Sequence, residues 1–345
     1  MKAKKFLMDV VLIRLTLIFL LVFMHAFCPF TRWWQAPPAP DFHVIEAYKW
    51  LALSMHHFRL EAMVFISGLL FGYTLKRHPE RLTFRQCVVK KAKRILLPGM
   101  LFSMLYYLLF FDHHAPWPVA LYKILCGCGH LWFLPMLFWC FVLCYLLERR
   151  QTVSPTVILS VSIMALFLPG TFALGIGRVP NYFFYFYLGF AIQKGYATFP
   201  FVRKPRRLLL LPAVYIVCCI CNELMLDCWP QPSLTTAFLL RGFLLKLTQL
   251  LCAFSMLTFL YSIANKPGIK HWLAQRSYLI TLSNYCYGVY IYHLFILMYL
   301  YYYTPFTTYF PTAVFPWIGF LVTLALSLAL CRLTLKTRLG RYMIG

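Results

Sequence analysis

Acid is scarce in this chain: nine Asp and Glu stand among 345 residues, against 33 Lys and Arg. Charge of either sign is scarce too, at 12% of residues, roughly half the share of a soluble domain, while 62% are hydrophobic. That composition excludes a water-soluble enzyme, a disordered tail and a disulfide-stapled secreted domain. Gly-x-Ser-x-Gly is missing, so a Ser-His-Asp triad on a nucleophile elbow has no footing. Internal repeats, low-complexity tracts and a detachable soluble segment are missing as well. The 13 cysteines show no framework spacing. Cys140, Cys144, Cys218, Cys219 and Cys252 lie in apolar runs, where the thiol behaves as a small hydrophobe. Cys126-Gly127-Cys128-Gly129-His130 has half the spacing of a metal site and no facing half, so no metal is expected. What remains is an all-α polytopic membrane protein, a single transmembrane domain over residues 1–345.

A spanning helix needs about 20 largely apolar residues, fewer where flanking side chains snorkel. Runs at 10–27, 58–75, 95–111, 131–147, 157–174, 181–193, 208–226, 243–263, 278–303 and 313–333 supply ten candidates for one bundle. The sixth is short, and the charge pattern argues for it. With ten spans and a cytosolic N-terminus, most Lys and Arg fall in cytosolic pieces: Lys2, Lys4 and Lys5, the connections 76–94, 148–156, 194–207 and 264–278, and the C-terminal tail. The outer pieces hold only Arg32, Lys49, Lys123, Arg178 and Arg241. Dropping the sixth span scrambles this positive-inside asymmetry. Both termini are therefore expected in the cytosol, in a multi-pass protein of the plasma (inner) membrane. The first run carries Arg14 and His25 and has no small-residue cleavage site, unlike a signal peptide.

The basic excess is thus chiefly topological and does not call for nucleic acid. The connection 76–94 is denser than orientation requires, with Lys76, Arg77, Arg81, Arg85, Lys90, Lys91, Lys93 and Arg94. Such a cluster also suits anionic membrane lipid or a phosphorylated cytosolic ligand. The outer loops are rich in Trp33, Trp34, Trp50, Trp117 and Trp229, beside Pro37, Pro38, Pro40 and Pro230. These are interfacial anchors or, for a minority, a stacking platform for a sugar.

An ionisable group at membrane depth is a functional candidate by default. Arg14 and His25 in the first span are eleven residues apart. At about 100° and about 1.5 Å per residue, they share one helix face and differ in depth by roughly 16 Å. One face then offers an anion-binding fork below and a proton-transfer group above. The alternative is a snorkelling Arg and an interfacial His. Glu61 in the second span is expected near the depth of His25, where a carboxylate fixes an imidazole tautomer, unless it pairs with Arg59 or Arg32. Ser67, Gly68 and Gly72 remove bulk deeper in that span, for close helix approach or for a thin ligand. Glu223 in the seventh span has no partner that spacing can name, and His293 in the ninth is a further candidate. The pairs His56-His57 and His113-His114 carry no motif spacing.

Arg14-x10-His25 resembles the signature of the acyltransferase-3 family of integral membrane O-acyltransferases, and the likeness continues in order along the chain. Met63-Val64-Phe65-Ile66-Ser67-Gly68-Leu69-Leu70 is similar to the family's F-F-x-I-S-G-F-L second span, and Lys91-Ala92-Lys93-Arg94-Ile95-Leu96-Leu97-Pro98 to its R-x-x-R-I-x-P start of the third. His130-Leu131-Trp132-Phe133-Leu134 matches its H-L-W-F-L fourth, Tyr185-Phe186-Tyr187-Leu188-Gly189-Phe190 its F-x-L-G-F sixth. Leu282-Ser283, with Tyr287-Gly288-Val289-Tyr290-Ile291-Tyr292-His293, is similar to its L-S-x-x-S-Y-G-I-Y-L-x-H ninth. His57-Phe58-Arg59-Leu60 is similar to the branch that places succinyl groups on periplasmic glucans. Val11 stands where the family often has Asp, and Lys91 replaces the first Arg of R-x-x-R.

The resemblance implies transfer of an acyl group, acetyl or succinyl, from cytosolic acyl-CoA to a hydroxyl of a cell-envelope glycan or glycolipid at the outer side. No cofactor is implied beyond acyl-CoA as donor substrate. Lys91, Arg94 and Arg14 would hold the donor's phosphates, its thin arm would pass Ser67 and Gly68, and His25 would act either as general base, with Glu61 as orienter, or as the carrier of a covalent acyl intermediate. His130, Trp132, Tyr290 and His293 would support the site. A transporter or flippase of an envelope glycan or lipid precursor is the competing reading; it would leave the thioester intact.

Overall fold

The computed structural model describes residues 8–77, 83–111, 115–150, 152–168, 170, 173–202, 204–228 and 235–345. Lys2, Lys4, Lys5, Arg81, His113, His114, Trp229 and Pro230, named above, lie outside the described residues. Among the described residues every regular element is helical and no strand occurs. Helices stand at each predicted run: α1 (Met8–Ala26), α2 (His56–Arg77), α3 (Phe84–Phe110), α4 (Phe133–Arg150), α5 (Pro155–Ala165), α6 (Val179–Lys194), α7 (Pro205–Asp227), α8 (Thr235–Ala264), α9 (Ser277–Tyr302) and α10 (Phe315–Thr334). Seven of them, α1 to α4, α7, α8 and α10, are long and apolar enough, with the helical turns that adjoin α2 and α4, to cross a membrane. The chain is therefore an all-α polytopic membrane protein. Of the other three, α5 and α6 run 11 and 16 residues. The 26 residues of α9 are long enough, but Asn284, His293 and repeated tyrosines make it less apolar.

Local chemistry sets the helix ends. Thr83 caps α3 with a reciprocal box: its side chain accepts the Gln86 N–H, and the Gln86 side chain reaches back to the Thr83 backbone. Pro98 lacks the N–H that would reach the Arg94 carbonyl, so α3 widens into a π-helical stretch at Ala92–Leu96, where Leu97 N–H donates to the Ala92 carbonyl five residues back. Gly195 ends α6 in the left-handed region, at φ 87°.

The chain forms two compact units. The first comprises Met1–Met63, Phe199–Tyr290 and Leu300–Ala325; the second comprises Val64–Thr198, Ile291–Tyr299 and Leu326–Gly345. In the first, α7 and α8 pack as a hairpin, with Asn222 Nδ2 donating to Thr248 Oγ1 at 2.8 Å and the Leu245 carbonyl at 3.2 Å. The segment after α1 is pinned by aromatic contacts of Phe27 and Phe30 with Tyr48, and by Tyr301 donating to the Ala26 carbonyl at 3.1 Å.

In the second unit, residues 64–77 of α2 cross α6 at near-contact of the backbones. A Cβ on Gly68 would lie 1.9 Å from the Phe186 carbonyl oxygen, and one on Gly189 would lie 2.1 Å from that of Phe65. The small residues of both helices are needed for this crossing. Of the two readings of Gly68, close helix approach and room for a thin ligand, the first is the one this crossing displays.

Candidate active site

The first unit carries Arg14, His25, Glu61 and Tyr290. Within about 60° of Arg14 around α1 lie Val10, Val11, Leu17, Ile18 and Leu21, all buried; Phe19, about 140° away, is exposed. Arg14 and His25 thus sit on the buried stripe of the helix, yet each stays half-accessible amid fully covered neighbours. Their shared face, read from spacing, is the face turned inward. Arg14 lies within electrostatic reach of Cys286 on α9, and Tyr290, one turn further along α9, is buried.

His25 is held by its own helix. Its Nδ1 lies 3.0 Å from the Leu21 carbonyl oxygen. A carbonyl only accepts, so in this contact Nδ1 carries the hydrogen. The Trp34 indole lies over the ring, centroids 6.0 Å apart, and neighbours Tyr302 at 6.2 Å. Cys28, three residues on, is no rival nucleophile: burial pushes its thiol up to about 12, against a partial counter-effect from Arg59, and its Sγ donates to Met24 Sδ at 3.4 Å. The partner of Nδ1 is thus the Leu21 carbonyl of the same helix. Glu61 itself stands one turn after His57, with Oε2 buried and unpaired, and His57, Arg59 and Lys246 are the basic side chains acting on it.

Sequence reasoning missed the ion cluster beside it. Arg32 binds Glu223 at 2.8 Å and Asp227 at 3.1 Å, and His57 Nε2 stands 3.6 Å from Glu223 Oε1. Arg32 therefore belongs to Glu223 rather than to Glu61. The signal available was a carboxylate on an apolar helix, which demands a cation; no spacing rule links positions 191 residues apart.

The second unit holds Ser67, Gly68, Lys91, Arg94, His130, Trp132 and His293. Lys91 Nζ lies over the Phe141 ring at 3.5 Å and 5.4 Å from the Phe71 centroid, so its charge is turned to aromatic faces. Arg94 is exposed, on the π-helical stretch of α3, and Ser67 is half-buried. His130 Nε2 donates to the Ile291 carbonyl at 3.2 Å, and its ring lies 4.9 Å from that of the fully buried His293. The glycines beside it take positive φ, 91° at Gly127 and 57° at Gly129, and Cys128 N–H donates to Ser103 Oγ at 2.7 Å. That run is therefore a tight turn which seats His130. Trp132 receives Arg178 on its face at 4.0 Å; partial burial draws that guanidinium below its ordinary value.

The family model for acyltransferase-3, an acyltransferase domain, matches residues 9–333. The chain belongs to the acyltransferase-3 family. No curated protein and no solved structure matches it. Family and apolar helices together make this chain a membrane acyltransferase, acting on an acyl donor and an acceptor.

Proposed function

We propose that this acyltransferase moves an acyl group, acetyl as first choice and succinyl as second, from cytosolic acyl-CoA to a hydroxyl of a cell-envelope glycan at the outer side of the plasma (inner) membrane. Nε2 of His25 takes the acceptor's proton as its oxygen attacks the thioester carbonyl. The tetrahedral adduct then expels the CoA thiolate, which recovers the proton from the imidazolium. Arg14, roughly 16 Å along the same stripe, meets the donor's phosphates with a guanidinium suited to bidentate contact. The observation that carries this reading is the buried stripe of α1, which holds both Arg14 and His25, with the His25 ring oriented through its Nδ1 by the Leu21 carbonyl.

The test is thioester cleavage by the protein in lipid nanodiscs, given acetyl-CoA or succinyl-CoA and envelope glycan from cells lacking the protein. Release of CoA thiol, with a matching mass gain on the glycan, is expected. Glycan movement with the thioester intact would replace transfer by transport.

A further inference from the structure

Among the buried polar atoms of the first unit without a hydrogen-bond partner, four lie close together: Nδ1 of His56, Nε2 of His57, Oε2 of Glu61 and Oε1 of Glu223. Such atoms are unfavourable to leave dry, and four together need a common explanation. They are neighbours. His57 Nε2 and Glu223 Oε1 stand 3.6 Å apart, too far for a hydrogen bond, on side chains only 7% and 2% exposed. The rings of His56 and His57 lie 5.0 Å apart, and Glu61 follows His57 by one turn of α2. Trp33 closes one side, its indole centroid 4.1 Å from that of His56. Arg32 and Asp227, both about half exposed, connect the group to the exterior.

The chemistry selects the occupant. Glu61 and Glu223 oppose an anion, while Arg32 and the buried Arg59 oppose a cation. Among the described residues no three His, Cys, Asp or Glu side chains are placed to hold a metal ion. A neutral ligand with several hydroxyls fits, because each hydroxyl can donate to a carboxylate or imidazole and accept in turn. An indole beside such groups suits the apolar C–H face of a sugar ring.

We propose that His56, His57, Glu61 and Glu223, with Trp33, form the subsite that holds a neutral sugar ring of the acceptor. This deepens the glycan-acceptor reading above and rests on it. Trp33 and Trp34 are consecutive, so the indole beside this group adjoins the one that covers His25.

The test is saturation-transfer NMR on the full chain in nanodiscs, without any acyl donor. The probes are the methyl glycosides of glucose, galactose, mannose, N-acetylglucosamine and rhamnose. At least one is expected to bind saturably, and Glu61→Gln and Trp33→Ala should each weaken it about tenfold, the effect of one lost buried contact. Glu61→Gln keeps the side-chain shape and gives up no partner at Oε2, so its thermal unfolding should match the parent's. If no glycoside binds, or if both variants bind as the parent does, these atoms hold water only and the subsite is overturned. Because no donor is present, the two readings separate: glycoside binding without thioester cleavage sinks acyl transfer alone, and cleavage without glycoside binding sinks the subsite alone.

Discussion

Trp34 lies across His25, the indole and imidazole centroids 6.0 Å apart and their planes 26° from parallel. With the Leu21 carbonyl on Nδ1, the ring is gripped on a face and on an edge. His25→Ala should lower acyl transfer by about 10²- to 10⁴-fold, the usual worth of a positioned general base. The protein should still insert, since the hydrogen bond of Nδ1 is made within its own helix. Transfer measured as CoA thiol release at parental rate in this variant would remove His25 from the reaction.

Arg14 makes a different prediction, about binding rather than turnover. A guanidinium that meets phosphate contributes a charge-assisted hydrogen bond of about 1.5–3 kcal/mol, so Arg14→Ala should weaken CoA binding by roughly ten- to a hundredfold. Arg14→Lys keeps the charge but not the fork and should fall between. Calorimetric titration with CoA itself, which cannot react, isolates this step. Equal affinity in parent and Arg14→Ala would leave Arg14 a snorkelling anchor.

The helix-on-helix crossing in the second unit yields a stability contrast. The Phe186 carbonyl cannot move aside for a Cβ at Gly68, so Gly68→Ala should destabilise by about 1–3 kcal/mol as an overpacking change. Gly242, within α8, has nothing within 4 Å of the same added atom. There, Gly242→Ala should stabilise by roughly 0.5–1 kcal/mol, through helix propensity alone. Thermal unfolding of the two variants in the same detergent gives both signs, and a neutral Gly68→Ala would mean that the helices do not cross so closely.

These residues also mark how far the sequence could be read. Apolar runs and charge asymmetry located the helices because burial in lipid imposes a composition on every residue of a span. The Arg14–His25 face followed because both lie on one helix, where spacing is geometry. Gly68 was ambiguous because its meaning depends on Gly189, on another helix. Leu21 was invisible as a partner for His25 because every residue has a carbonyl, and only coordinates say which one a ring meets. The Arg32–Glu223 pair failed for the same reason at longer range. The π-helical stretch was latent in Pro98, whose missing N–H is readable, while the way the backbone absorbs it is not.

Lys91 and Arg94 come from one motif and meet different surroundings, which makes their roles separable. The Lys91 ammonium rests 3.5 Å from the Phe141 centroid, whereas Arg94 is exposed three residues on. A cation already stabilised by ring faces has less to gain from a phosphate, and moving it would forfeit about 0.5–2 kcal/mol. Arg94→Ala should therefore weaken CoA binding by about tenfold or more, and Lys91→Met by no more than about threefold, on the scale where 1.4 kcal/mol is a decade. Lys91→Met loses the ring contact and should unfold earlier than the parent. Phe141→Leu separates contact from charge, since it removes the ring and leaves the ammonium. If that variant binds CoA more tightly than the parent, the aromatic faces restrain Lys91 from the donor; if binding and stability are both unchanged, the contact carries no weight.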